Sequence, residues 1–113
     1  MADHIKIRPA NGTWVVRAGG AVIGETARAL ELNEEGFAPA IYFPRTDVAM
    51  AFLDKSDTAA TDPHKGTATY YNIVAKSGPI ADAVWSFEEA RDELKEIEGY
   101  LSFYPAKVAI EQV

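Results

Sequence analysis

The sequence predicts a mainly-β domain of small antiparallel meander sheets with two short helices, in one unit covering residues 1–113. Three observations carry this. Thr13 to Ala18 (TWVVRA) and Ala21 to Thr26 (AVIGET) are short, β-branched runs joined by Gly19-Gly20, and glycine accepts the positive φ of a two-residue hairpin turn. The run TATYYNIVAK, from Thr67, alternates as a strand does: Thr67, Thr69, Tyr71 and Ile73 face one way, and Ala68, Tyr70, Asn72 and Val74 the other. Turn signals such as Asn11-Gly12 and Ser77-Gly78-Pro79 recur between the β-prone runs.

In chain order, the hairpin is followed by strands at Ala29–Leu32 and Ala40–Phe43, separated by the polar, glycine-containing stretch Asn33 to Gly36. Pro44 punctuates the chain. Thr46 or Asp47 then caps a predicted helix to about Lys55, with Val48, Ala49, Phe52 and Leu53 as its buried stripe. Ser56 to Lys65 reads as a polar loop before the long strand, and Ile80–Trp85 as the next strand. Ser86-Phe87-Glu88-Glu89 has the form of a capping box and predicts a second helix to about Glu98, with Phe87, Ala90, Leu94 and Ile97 inward and Gly99 ending it. Tyr100–Tyr104 and Lys107–Glu111 read as a closing hairpin.

Composition narrows the function classes. At 48% hydrophobic and 25% charged residues, the chain has the balance of a globular protein able to fill one core. The net charge of −6, with basic residues scattered singly, argues against nucleic acid and anionic membranes as partners. There is no cysteine, so disulfides, thiol catalysis and cysteine-built zinc sites are excluded. The first residues lack the apolar stretch of a secretory signal, and the expected compartment is the cytoplasm.

Four motifs in order carry a resemblance: Ile41-Tyr42-Phe43-Pro44-Arg45 with Asp47-Val48; Pro63-His64-Lys65-Gly66 with Ala68 and Tyr70; Ala83-Val84-Trp85-Ser86-Phe87; and Gly99-Tyr100-Leu101-Ser102-Phe103-Tyr104. In these, from about His4 to Glu111, the chain resembles the bacterial domain-of-unknown-function 427 family, also filed under a nucleotidyltransferase-like name. The resemblance implies a fold similar to the β-tent or Mss4-like group. Better-known members of that group hold zinc with paired cysteines, which this chain lacks, so no metal or other cofactor is expected. Asp62 stands where many relatives carry a cysteine, and His64 where relatives often carry an aromatic residue.

The nucleotidyltransferase label finds no support in the residues. That chemistry uses a Gly-rich turn before a helix and two spaced carboxylates on a divalent metal. Here Gly19-Gly20 lies inside a hairpin, and the spaced pair Glu96 and Glu98 falls on the exposed side of the second predicted helix. No P-loop and no nucleophile elbow are present. His4 and His64 are far apart in sequence and, even with Asp62, make a poor ligand set.

What remains is an aromatic and cationic set. Tyr42, Arg45, Lys65, Tyr70 and Trp85 are the candidate ligand-binding residues, because aromatic walls with one or two cations suit a small anionic or planar molecule. Gly66 would let a ligand approach the backbone beside Lys65, and Ala68 leaves space beside Tyr70. Each has a structural reading as well. Trp85, Tyr42 and Phe103 are residue types more often found in a core than in a pocket, Arg45 reads as a partner for Asp47 or a cover for a helix end, Lys65 as a solvated turn, and Tyr70 as a core phenol bonded to a carbonyl. The leading expectation is a domain that binds a small anionic metabolite. The alternatives are an enzyme using the same pocket with His64 or Asp47 as acid or base, and an interaction module that pairs with itself or another protein through exposed strand edges.

Overall fold

Alternating side chains can bury both faces of a sheet only if something covers each face, and the fold follows from how this chain covers them. The computed structural model describes residues 4–63 and 65–113. The strands are β1 (Ile5–Pro9), β2 (Trp14–Ala18), β3 (Ala21–Thr26), β4 (Leu30–Glu34), β5 (Ala40–Phe43), β6 (Leu53–Asp62), β7 (Gly66–Ala75), β8 (Gly78–Ala90), β9 (Leu101–Phe103) and β10 (Ala109–Gln112). A seven-stranded sheet runs β1-β4-β5-β9-β8-β7-β6, and a three-stranded sheet runs β10-β2-β3, with antiparallel pairing throughout. The chain is mainly β, as its sequence predicts.

One face of the large sheet packs under the small one. Val16 and Ile23 from the small sheet meet Phe43, Ile73, Val84 and Phe103 from the large. The other face carries Leu32, Tyr42, Ala68 and Phe87, capped by Leu94 and Ile97 of a 3-10 helix at Asp92–Ile97. Neighbouring residues Tyr42 and Phe43, Tyr70 and Tyr71, and Val84 and Trp85 therefore serve opposite faces. Pairing shifts in β6–β7 and β7–β8 mark bulges, which bend strands and increase twist. Asp82, at φ 50°, sits in one of them, its amide held by the Asn72 side chain at 2.9 Å.

The Gly19-Gly20 turn forms with both glycines at positive φ (55° and 82°), as the twist of a two-residue hairpin demands. Several expectations are corrected. The helix from residue 46 to 55 is replaced by two 3-10 turns, Arg45–Asp47 and Met50–Phe52, and β6 begins at Leu53. The Asp47 carboxylate accepts from Thr26 instead of capping, and the Ala49 amide is drawn to the Ile23 carbonyl at 2.7 Å. The polar stretch Ser56–Asp62 is not a loop but part of β6, an edge strand whose mostly exposed side chains explain its polarity.

Nor does a helix open at Ser86. The strand continues to Ala90 because Gly66 and Thr67 of β7 pair with Ala90 and Glu89. Only the Leu94 and Ile97 part of the expected stripe is helical, in 3-10 form. The closing hairpin also fails, since β9 pairs with β5 and β8 while β10 crosses to β2. β1, a short edge strand alternating with Lys6 and Arg8, carries too little apolar signal to stand out in the sequence.

Candidate functional site

Strand alternation and the curvature of the large sheet leave a cavity of about 670 Å³ on the side of the second core. β5 contributes Tyr42, β7 contributes Ala68 and Tyr70, and β8 contributes Trp85 and Phe87. Tyr104, in the turn after β9, completes the wall. Ala68 matters by its size, because a larger side chain would occupy the space that Tyr70 and Trp85 flank.

The aromatic rings hold one another in place. The Trp85 indole N–H donates to the Tyr42 hydroxyl at 3.0 Å, with the rings edge-on at 6.2 Å. Trp85 packs 4.5 Å from Tyr104, and Tyr70 lies nearly parallel to Tyr104 at 6.4 Å, their hydroxyls 3.3 Å apart. Burial pushes the Tyr42 phenol well up. Burial and the Tyr70 hydroxyl push Tyr104 up to about 12. Both rings are neutral at ordinary pH.

Lys65 stands at the mouth, in the turn joining β6 to β7. Its amide donates to Asp62 Oδ1 at 3.1 Å, and Gly66 supplies the φ of 107° that the turn needs. The ammonium is 2.6 Å from Glu34 and 3.8 Å from Asp62, and lies 5.8 Å from the centre of the Phe37 ring. The Lys65–Glu34 pair thus links the β6–β7 turn to the end of β4 across the curved sheet. The side chains of Lys65 and Glu34 are 19% and 11% exposed, so the pair is more buried than an ordinary surface bridge. Phe37, by contrast, is 70% exposed at the rim.

Four of the five residues singled out from sequence, Tyr42, Lys65, Tyr70 and Trp85, line this one cavity. Arg45 does not. It projects to the face opposite Trp85, where it donates to the Gly99 carbonyl at 3.1 Å and to Glu88 at 2.7 Å, and lies over the Tyr71 ring at 5.9 Å. The Tyr71 hydroxyl donates to the same Glu88 carboxylate. Arg45 pairs with Glu88 rather than with Asp47, and Asp47 is taken by Thr26 at 2.7 Å and Arg28 at 3.1 Å. The acid–base candidate His64 lies outside the described residues.

Sequence reasoning did not reach Glu34 and Phe37. The signal for Phe37 was a lone aromatic between Gly36 and Pro39, a costly place for an apolar ring unless something covers it. Glu34 had no signal, because only the curvature of the sheet brings it to Lys65. Among the described residues no group of three or more histidine, aspartate or glutamate side chains is placed to hold a metal ion. No helix among them is long and apolar enough to cross a membrane.

No curated protein matches the chain. Residues 6–113 match the family model described as "Domain of unknown function (DUF427)", whose short label is NTP_transf_9; with nearly its whole length covered, the chain belongs to that family.

Proposed function

We propose that this chain is a small-molecule-binding domain whose ligand lies in the aromatic cavity between β5, β7 and β8. One observation carries the reading: a cavity of about 670 Å³ walled by Tyr42, Tyr70, Trp85 and Tyr104. That volume falls within the range of roughly 300–1,000 Å³ typical of ligand sites, which are mostly apolar with a few placed polar groups. A flat molecule would stack on Trp85 and Tyr104 and find hydroxyls at Tyr42 and Tyr70. Among the described lining residues Lys65 is the one cation, so an anionic group would have to take that ammonium from Glu34, because Arg45 is engaged across the sheet.

The enzymatic reading is less well supported, since Asp47 is held by Thr26 and Arg28 away from the cavity lining. The interaction reading is also weaker. The edge strands of the large sheet, β1 and β6, carry charges, a proline and a bulge, features that discourage strand pairing there. The absence of cysteine supports a reducing compartment, and we place the protein in the cytoplasm.

The test is a thermal-shift panel of nucleotides, sugar phosphates, aromatic carboxylates and alkylammonium salts on the native protein. A ligand at 100 times its Kd stabilises by about 2.7 kcal/mol, and at least one class should raise Tm by several degrees. If no class moves Tm and none alters tryptophan fluorescence, the reading is wrong.

A further inference from the structure

The charge at the cavity mouth has the opposite sign from what two converging cations would give. The charged groups among the described lining residues are Glu34, Asp62 and Lys65, which leaves one negative charge in excess. Around them stand ring faces, whose quadrupoles are negative and attract cations. The chain already uses the mouth in this way. The Lys65 ammonium sits against Glu34 at 2.6 Å, within 3.8 Å of Asp62 and over the Phe37 ring at 5.8 Å. A second ammonium, that of Lys107, takes up the Tyr104 ring at 5.8 Å. Tyr104 remains a neutral ring rather than a phenolate, because its ionisation is pushed up to about 12.

Resting on the small-molecule reading above, we infer that the cavity selects an organic cation, a small alkylated ammonium, held by Trp85, Tyr70 and Phe37 with Glu34 and Asp62 at the mouth. An alkylated ammonium suits this site better than a bare ammonium ion. Its charge is spread over methyl groups and costs less to desolvate, and the methyls pack on ring faces as apolar groups do. Inorganic phosphate or a sugar phosphate would bring negative charge beside the carboxylates of Glu34 and Asp62.

The experiment is isothermal titration of the full chain with tetramethylammonium and choline, against the neutral isostere 3,3-dimethylbutan-1-ol and the anion benzoate. Choline should bind about tenfold tighter than its neutral isostere, the size expected of a cation–π contact with partial desolvation. Two substitutions then give the sign. Lys65→Gln removes the competing ammonium and should tighten choline binding. Asp62→Asn removes a carboxylate while keeping an oxygen to accept the Lys65 amide, and should weaken choline binding several-fold. Should Lys65→Gln not fold, Asp62→Asn alone carries the test.

Equal binding of choline and its isostere overturns the inference but leaves the small-molecule reading intact. So does benzoate binding that is abolished by Lys65→Gln. Failure of these probes together with the whole thermal-shift panel would overturn both.

Discussion

Asp47 shows how one side chain, once its partners are fixed, sets both local structure and pH response. Its carboxylate accepts from the Thr26 hydroxyl at 2.7 Å and from Arg28 at 3.1 Å, while the Arg28 amide donates back to the Thr26 hydroxyl. The Thr26 hydrogen bond foremost, with Arg28 adding to it, holds the Asp47 carboxyl below the ordinary aspartate range. An aspartate in an unfolded chain titrates near about 3.9. The depressed value in the folded state means that the ionised form stabilises the fold above that pH, and that this stabilisation disappears as pH falls through the lower, folded value. Asp47→Asn should therefore lower stability near neutrality and flatten the acid limb of the stability curve, the gap to the native protein closing as pH falls below about 4. Urea midpoints at several pH values between neutral and about 3 would check it, and an unchanged acid limb would contradict it.

Between elements, Arg45 does the work of a clasp. From the 3-10 turn after β5 it reaches the Gly99 carbonyl, at the end of the 3-10 helix Asp92–Ile97, and Glu88 on β8. Arg45 and Glu88 side chains are 37% and 36% exposed, so solvent weakens their Coulomb attraction and the directed hydrogen bonds matter more. Arg45→Met should cost about 1–2 kcal/mol in denaturant unfolding, yet leave ligand affinity in the cavity unchanged, because the clasp is on the other face of the sheet. A loss of affinity equal to that of a cavity mutant would contradict that placement.

The same region shows where sequence legibility stops. The Gly-Gly hairpin and the alternation of Tyr70 and Tyr71 are local chemistry and could be read directly. Ser86-Phe87-Glu88-Glu89 has every local mark of a helix start. It is a strand because β7 pairs alongside it, and because the Arg45 guanidinium, 3.4 Å from the Ser86 hydroxyl, and Glu88 share its other face. Phe87 and Leu94 could be assigned to a core, but not to the period of either element. Part of the cavity wall was legible, since strand alternation puts Ala68 and Tyr70 on one face and Tyr71 on the other, but alternation could not show that Arg45 lies across the sheet. The pairing of Lys65 with Glu34 was not legible, because it depends on how far a bulged sheet curves.

At the scale of the whole molecule, the cavity exists because the large sheet is only partly covered on the side of its second core, where, among the described residues, the small sheet reaches the lining only through Trp14 and Ile110. The small sheet covers one face and a single 3-10 helix covers only part of the other. The Lys65–Glu34 pair and the β6–β7 turn then hold the open side at a fixed width. Native interiors are close-packed, so an unfilled space of this size costs dispersion contacts that folding would otherwise gain, and binding can recover them. Filling it from within should separate stability from function. Ala68, buried in one cluster with Phe87 and Tyr70 and lining the cavity, is the place to do so. Ala68→Phe should remove ligand binding altogether while leaving the unfolding midpoint within about 1–2 kcal/mol of the native protein, the added ring gaining burial where the cavity accepts it and losing some to strain where it does not. Calorimetry and chemical unfolding on the same sample would read both. If Ala68→Phe folded normally and still bound as the native protein does, the ligand would have to sit elsewhere, and the cavity would be a packing defect rather than a site.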